Sequence, residues 1–242
     1  QHFITTNTER RMFLEKQGVD VEIEYPFTQD FMNMEPEAFI EEILIGRLHA
    51  KYVVVGTDYH FGKGRMGNAQ MLLERGPEYG FETTIVEKER YQEREISSTY
   101  VREELRLGHM ETVNVLLGRP YSIYGIVSKG KQLGRQLNLP TLNIYPPDSK
   151  LLPPNGVYAS ITRLDGKEYF GVTNLGVRPT LDDSPLLSVE TNLFDYNDDA
   201  YGHYIEVQLM HFLRQEMKFD SIETLKKQME SDAQFSKSML ML

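Results

Sequence analysis

With 242 residues, a formal net charge of -10 and a pI near 5.2, the chain is long enough for two domains of ordinary size and too acidic for a broad electrostatic grip on nucleic acid. Cysteine is absent, which excludes disulfides and thiolate metal sites and fits a reducing compartment. No run approaches the roughly 18 apolar residues of a membrane span, and the start, QHFITTNTERR, lacks the basic and apolar regions of a signal peptide, so a soluble cytoplasmic protein is expected.

Thr6-x-x-Glu9 has the form of a capping box, and the helix it opens carries Met12 and Phe13 before Gly18 stops it. Val19, Val21 and Ile23 then alternate with acidic residues as in a strand. Pro36 suits the first turn of a second helix, in which Phe39, Ile40, Ile43 and Leu44 share a face. YVVVG, residues 52–56, is a β-branched run of the kind buried inside parallel sheets, and FETTIVE, residues 81–87, reads as a further strand. SSTYVREEL opens another helix. This alternation predicts an α/β domain with a parallel sheet.

The pattern changes at LLGRPYSIYG. Short strands are expected at 121–128, 156–164, 167–175, 186–195 and 203–213, with turns at Asp165-Gly166 and Asn197-Asp198. Their spacing predicts an antiparallel barrel or sandwich. Asp220-x-x-Glu223 begins a last helix with Leu225 and Met229 on one face, expected to pack across the barrel. The boundary between the two domains, 1–119 and 120–242, falls at this change.

Within GKQLGRQLNLPTLNI, residues 130–144, a glycine- and base-rich loop runs into a strand start. Strand alternation sets Thr141 and Asn143 on one face and Leu142 on the other. A hydroxyl and an amide beside such a loop suit a Mg²⁺–nucleotide complex, since magnesium takes oxygen ligands; a loop with a polar strand start is the plainer reading. The Gly-x4-Gly-Lys-Ser/Thr loop is absent. In LLSVETNLFDY, Ser188, Glu190 and Asn192 form one face, and Leu187, Val189, Thr191 and Leu193 the other. Glu190 is thereby a candidate base for a substrate hydroxyl, although a strand glutamate is more often solvated.

GIVSKGKQLGRQLNLPTLNI, LLPPNGVYAS, GVTNLGVRPT, VETNLFDY and FLRQEMKFDSIETLKKQME, in this order, resemble the riboflavin kinase module of bacterial bifunctional riboflavin kinase/FAD synthetases over about 120–235. The resemblance implies a six-stranded antiparallel β-barrel with a C-terminal helix. It also implies an ATP–Mg²⁺ site drawing on Gly130, Lys131, Gly134, Arg135, Pro140, Thr141 and Asn143, with Thr141 and Asn143 at the metal. Glu190 would be the base that activates the ribityl hydroxyl of riboflavin, and Arg214, Glu216 and Phe219 would surround the flavin. Leu142 stands where the family commonly has alanine; its side chain should face away from the chemistry.

GTDYHFGKGRMGN and REISSTYVREEL resemble the FMN adenylyltransferase module, an α/β Rossmann-like nucleotidyltransferase. That likeness implies a site drawing on Asp58 and Phe61 after the first strand, and on Ser97, Ser98, Thr99 and Arg102 at a helix start that favours phosphate. The family's FDG segment and His-x-Gly-His motif do not occur in these residues, so this domain is read as incomplete. FMN adenylylation is expected only where those motifs are supplied. Riboflavin, FMN and ATP are the expected small-molecule partners, with flavin as substrate; the competing expectation is a flavin-binding barrel without turnover. Oligomeric state leaves no signal.

Overall fold

The computed structural model describes residues 2–129, 140–179 and 185–240. The chain forms two compact units, Val19–Ile96 and a larger one made of Gln1–Gly18 with Ser97–Leu242. Among the described residues no helix is long and apolar enough to cross a membrane. The first element, α1 (Asn7–Lys16), belongs to the larger unit and starts as its sequence requires. The Thr6 hydroxyl accepts from the Glu9 amide, and the Glu9 carboxylate accepts from the Thr6 amide at 2.9 Å, completing the capping box.

In Val19–Ile96, residues 19–23 form no strand, contrary to the alternation they carry. No neighbouring strand among the described residues takes up their backbone groups, and Val21 and Ile23 are 70% and 59% exposed. A short α2 (Gln29–Met32) follows, then α3 (Pro36–Ala38), with Pro36 in the first turn, continuing into a π-helical stretch, Phe39–Arg47. β1 (Tyr52–Gly56) and β4 (Glu82–Val86) pair in parallel from Tyr52↔Glu82 to Gly56↔Val86. Between them lie a hairpin of β2 (His60–Phe61) with β3 (Gly67–Asn68), and α4 (Ala69–Tyr79), which is capped by Asn68 and stopped at left-handed Gly80. After them comes a small hairpin of β5 (Arg90–Tyr91) with β6 (Arg94–Glu95). Ile40, Leu44, Phe61, Leu72 and Phe81 make the core of this unit, with Val53 and Val55 against it. β1 is therefore covered on one face only: Tyr52 and Val54 are exposed, which corrects the expectation of a strand buried on both sides.

In the larger unit Ser97 caps α5 (Ser98–Leu107), Gly108 breaks the chain, and α6 (Met110–Leu117) leads into the barrel. Its strands are β7 (Tyr121–Ile126), β8 (Leu142–Ile144), β9 (Gly156–Leu164), β10 (Lys167–Pro179), β11 (Pro185–Leu193) and β12 (Tyr204–Arg214). They follow the order β7-β12-β9-β10-β11-β8, every neighbouring pair antiparallel. A bridge from Ser128, whose amide donates to the Asn143 carbonyl at 2.8 Å, joins the last strand to the first. The interior holds Ile123, Tyr158, Leu175, Val189, Ile205 and Leu209, all essentially inaccessible. It also holds three hydroxyls that satisfy one another: Thr173 bonds Ser160 at 2.7 Å and Thr191 at 2.9 Å. The C-terminal helix, Ile222–Leu240, packs on the outer face of β9, β10 and β12. Its cap is Ser221, whose hydroxyl accepts from the Thr224 amide at 3.2 Å, so the helix starts one residue later than the Asp220-x-x-Glu223 signature implies.

The N-terminal residues are fastened to the barrel through Lys150. Phe3 exchanges backbone hydrogen bonds with Ser149 (2.6 Å) and Leu151 (2.8 Å). The Lys150 ammonium donates to the Ile4 carbonyl at 2.9 Å and to Glu9 at 2.7 Å, and lies 4.5 Å from the Tyr121 ring centroid. Both charged side chains are almost fully buried. Breaking a buried pair from one side leaves the other charge uncompensated, so Lys150→Met should destabilise the protein by about 3–5 kcal/mol. Urea unfolding measures this, and a loss under about 1 kcal/mol would mean the pair carries little weight. Burial pushes the Lys150 ammonium down from its ordinary 10.5 to about 8, against the pull of Glu9 and helped by Arg119. Between those values the folded chain holds fewer protons at this site than the unfolded chain, so the stability contributed by the group rises with pH. Wild type should therefore gain stability relative to Lys150→Met as pH is raised from about 8 to about 10.

Candidate functional site

A cavity of about 290 Å³ lies between the outer face of the barrel and the start of the C-terminal helix. Register decides what it contains. Glu190 stands opposite Asn174 on β10 and opposite Asn143 on β8, and Asn174 in turn stands opposite Val157 on β9. Side chains of directly opposed residues share a face, so Asn143, Glu190, Asn174 and Val157 form one row across four strands. Thr141 and Asn192 extend the polar end of this face; the Asn192 amide donates to the Pro140 carbonyl at 2.8 Å and holds the approach to β8. Leu142 and Ile144 stand opposite Thr191 and Val189 on the interior side, so Leu142 does face away from Thr141 and Asn143.

Thr141, Glu190, Asn174 and Asn192 line the cavity at that end. Asn143 is buried beside Glu190, its amide 3.4 Å from the Thr141 carbonyl. The expected loop residues Gly130, Lys131, Gly134 and Arg135 lie outside the described residues. At the other end Arg214 leaves β12 with a committed guanidinium. Its Nε and Nη2 fork onto Asp232 of the C-terminal helix at 3.0 and 2.7 Å, and Nη1 donates to the Gln215 carbonyl at 3.0 Å. Its carbon sits 5.9 Å from the Phe219 ring centroid. Glu216 reaches back over Gly176, where an added Cβ would meet its carboxylate at 2.7 Å. Met217, Phe219, Leu225 and Met229 supply the apolar wall.

The expected residues Thr141, Glu190, Arg214, Glu216 and Phe219 thus line one cavity. Asn174, Met217 and Asp232 also line it and were not expected. Asp232 had a legible signal, since it follows Leu225 and Met229 at helical spacing and continues their stripe. Asn174 had none, because only pairing with Glu190 brings it to the site. Chemically, a carboxylate beside a hydroxyl and two amides can accept a proton and hold a polar chain, while the other end takes a flat apolar group. The donors at the polar end are the hard oxygens that Mg²⁺ prefers.

The remaining candidates fall in separate units. In Val19–Ile96, Asp58 follows β1 and pairs with Lys88 at 2.6 Å, which holds its carboxyl below the ordinary range. Phe61 lies in the core there, 5.1 Å from Phe39 and 5.8 Å from Tyr59 between ring centroids. In the larger unit, the Ser97 hydroxyl caps α5 by accepting from the Tyr100 amide at 3.2 Å, Ser98 and Thr99 are exposed, and Arg102 donates to the His2 carbonyl at 2.8 Å.

Comparison with known proteins matches residues 117–240 to the riboflavin kinase family and residues 1–100 to FAD synthetase. The chain is 40% identical over 230 residues to a bifunctional riboflavin kinase/FMN adenylyltransferase of Haemophilus influenzae, covering 93% of this chain and 73% of that protein. It is 37% identical over 225 residues to the protein of that name from Bacillus subtilis (91% and 70% covered), and 35% over 230 residues to that of Escherichia coli K12 (95% and 73%). A crystal structure described as a macrolide-efflux protein from Streptococcus pneumoniae superposes on 98% of this chain and 76% of its own, with a TM-score of 0.86 and 29% identity.

Gly156, at the start of β9, holds the Arg214 end of the cavity close. Its φ is +150°, and an added Cβ would lie 2.4 Å from the Arg214 carbonyl oxygen and 2.7 Å from the Phe212 ring. Because backbone rather than a flexible side chain must yield, Gly156→Ala should cost about 1–3 kcal/mol of unfolding free energy. A denaturation midpoint equal to wild type would contradict the close packing.

Proposed function

The chain belongs to the bifunctional riboflavin kinase/FMN adenylyltransferase family, and from that premise we propose that the cavity beside Glu190 is where riboflavin is phosphorylated by ATP. The activities are those of the family: transfer of a phosphoryl group from ATP to riboflavin, giving FMN, and adenylylation of FMN to FAD when the His-x-Gly-His segment is present. The observation that carries the site assignment is the cross-strand row. It sets a carboxylate beside a hydroxyl and two amides at one end of a cavity whose other end is apolar.

In this reading the flavin ring lies against Phe219, Leu225 and Met229, near Arg214 and Glu216, and the ribityl chain runs along Asn174 toward Glu190. Glu190 accepts the proton of the terminal hydroxyl as its oxygen attacks the γ-phosphorus of ATP. The bond to the β–γ bridging oxygen breaks, ADP leaves and FMN remains. Most of what phosphoryl transfer asks of a protein is orientation and charge neutralisation. Thr141 and Asn143 would hold Mg²⁺, which neutralises phosphate charge when bound. Pro140 shapes the approach, and by family likeness Gly130, Lys131, Gly134 and Arg135 contact the phosphates.

The kinase domain is taken as 120–242 and the adenylyltransferase domain as 1–119. Asp58 and Phe61 within one compact unit, and Ser97, Ser98, Thr99 and Arg102 within the other, are carried as contributors to adenylylation. Absence of cysteine and the acidic charge favour a cytoplasmic enzyme of small molecules that binds no nucleic acid. A flavin-binding barrel without turnover is the weaker reading, since simple retention of a flavin needs no base beside magnesium-type donors.

The test is to incubate the chain with riboflavin, ATP and Mg²⁺ and separate the flavins by chromatography; formation of FMN is expected, and bound but unaltered riboflavin would favour the binding barrel. Glu190→Gln should lower the rate of FMN formation by about 10²–10⁴ while riboflavin binding stays measurable. Near-normal turnover would remove Glu190 from the chemistry. For Thr141→Ala, KM for Mg–ATP should rise more than KM for riboflavin, and the opposite split would move Thr141 out of the nucleotide end.

A further inference from the structure

The fork between Arg214 and Asp232 has a consequence for the flavin end of the cavity. All three guanidinium nitrogens are engaged within the protein, Nε and Nη2 by Asp232 and Nη1 by the Gln215 carbonyl, and the Asp232 side chain is 7% exposed. Gln228, one turn earlier, donates to the Asp232 carboxylate at 2.9 Å and fixes its orientation. One turn later the Ser236 hydroxyl donates to the Gly171 carbonyl of β10 at 2.9 Å. The C-terminal helix is therefore pinned to the barrel by two polar anchors, at Asp232 and Ser236. The part of it that faces the cavity, Leu225 and Met229, lies toward the helix start from both. The chain between Arg214 and that helix start carries Glu216, Met217 and Phe219, so the ion pair closes the whole segment that forms the apolar wall.

We propose that Asp232 is a positioning residue for the flavin: by gripping Arg214 it sets the spacing between the barrel face and the wall of Met217, Phe219, Leu225 and Met229, and thereby the affinity for the isoalloxazine ring rather than for the nucleotide. The inference rests on the kinase reading of this cavity. Its selectivity follows from the sheet order. Thr141 precedes β8 and Arg214 ends β12, four strand spacings apart through β11, β10 and β9, or about 19 Å along the curved sheet. A shift of the helix at Arg214 moves the flavin wall and leaves the Thr141 end in place. A merely stabilising ion pair would instead lower unfolding free energy with no preference between the two ligands.

The experiment titrates the full chain with riboflavin, followed by quenching of flavin fluorescence, and with Mg–ATP by calorimetry, in wild type, Asp232→Asn and Arg214→Lys. Circular dichroism confirms folding of each. Asp232→Asn should raise the Kd for riboflavin about tenfold and leave that for Mg–ATP within about twofold. Arg214→Lys keeps the charge but loses the fork, and should shift riboflavin in the same direction. An unchanged riboflavin Kd in folded Asp232→Asn, or equal weakening of both ligands, overturns the proposal. Should Asp232→Asn not fold, Gln228→Leu keeps the ion pair and removes only its orienting bond; riboflavin should then weaken about two- to threefold, and no change overturns the proposal. FMN production by wild type is assayed alongside. Riboflavin binding without FMN would end the kinase reading, while the ratio of Kd values still decides the role of Asp232.

Discussion

Everything at the cavity depends on the pairing register of β8, β11, β10 and β9. Successive side chains alternate between faces, so a slip of one residue in β11 would carry Glu190 into the barrel and bring Val189 and Thr191 out. The interior resists such a slip. Val189 and Thr191 are fully buried, and the Thr191 hydroxyl is bonded to Thr173, which in turn bonds Ser160. A slipped strand would break that set of buried hydroxyl bonds and bury a carboxylate among apolar groups, each step costing kilocalories rather than tenths. The chemistry on the outer face is thus held in place by polar satisfaction on the inner one.

Ion pairs contribute according to burial, and among the described residues two shielded pairs tether helices to the barrel. Exposed pairs such as Arg75 with Glu78 or Lys63 with Glu35 are screened by water and contribute little. Glu9 with Lys150 and Arg214 with Asp232 are largely shielded, and each fastens a peripheral helix to the barrel. In both, further hydrogen bonds share the charge: the Thr6 amide and Ile4 carbonyl at the first, Gln228 and the Gln215 carbonyl at the second. A buried pair without such partners would cost more in desolvation than its attraction returns.

Period-two alternation was enough to separate Glu190 from Val189 and Thr141 from Leu142, because a sheet with one polar and one apolar face enforces that pattern. The same alternation at 19–23 misled, since it reports that a strand would have two unlike faces, not that a partner strand is present. YVVVG misled for a related reason: β-branched residues suit the pleat whether or not the second face is covered, and only Val53 and Val55 meet the core. Asp220 and Ser221 are adjacent cap candidates, and only the hydrogen bond to Thr224 distinguishes them. Asn174 was invisible as a site residue because its role arises from a partner 16 positions away, which no local pattern encodes. Helical spacing sets Asp232 on the stripe of Leu225 and Met229, but not against its partner Arg214, 18 positions away.

The family match and the folded units divide the chain differently, and the reason is local chemistry. Residues 1–18 fall within the stretch that matches FAD synthetase, yet they pack in the unit that contains the barrel. What holds them is the Phe3 pairing with 149–151 and the buried Glu9 carboxylate on Lys150. The barrel segment they grip leads directly out of β8, the strand that follows Thr141 and contains Asn143. Since Glu9 also completes the capping box of α1, the same carboxylate that starts the first helix fixes the chain that leaves the Thr141 end of the cavity. The cap of α1 and the exit from β8 thus share one electrostatic contact in the fold.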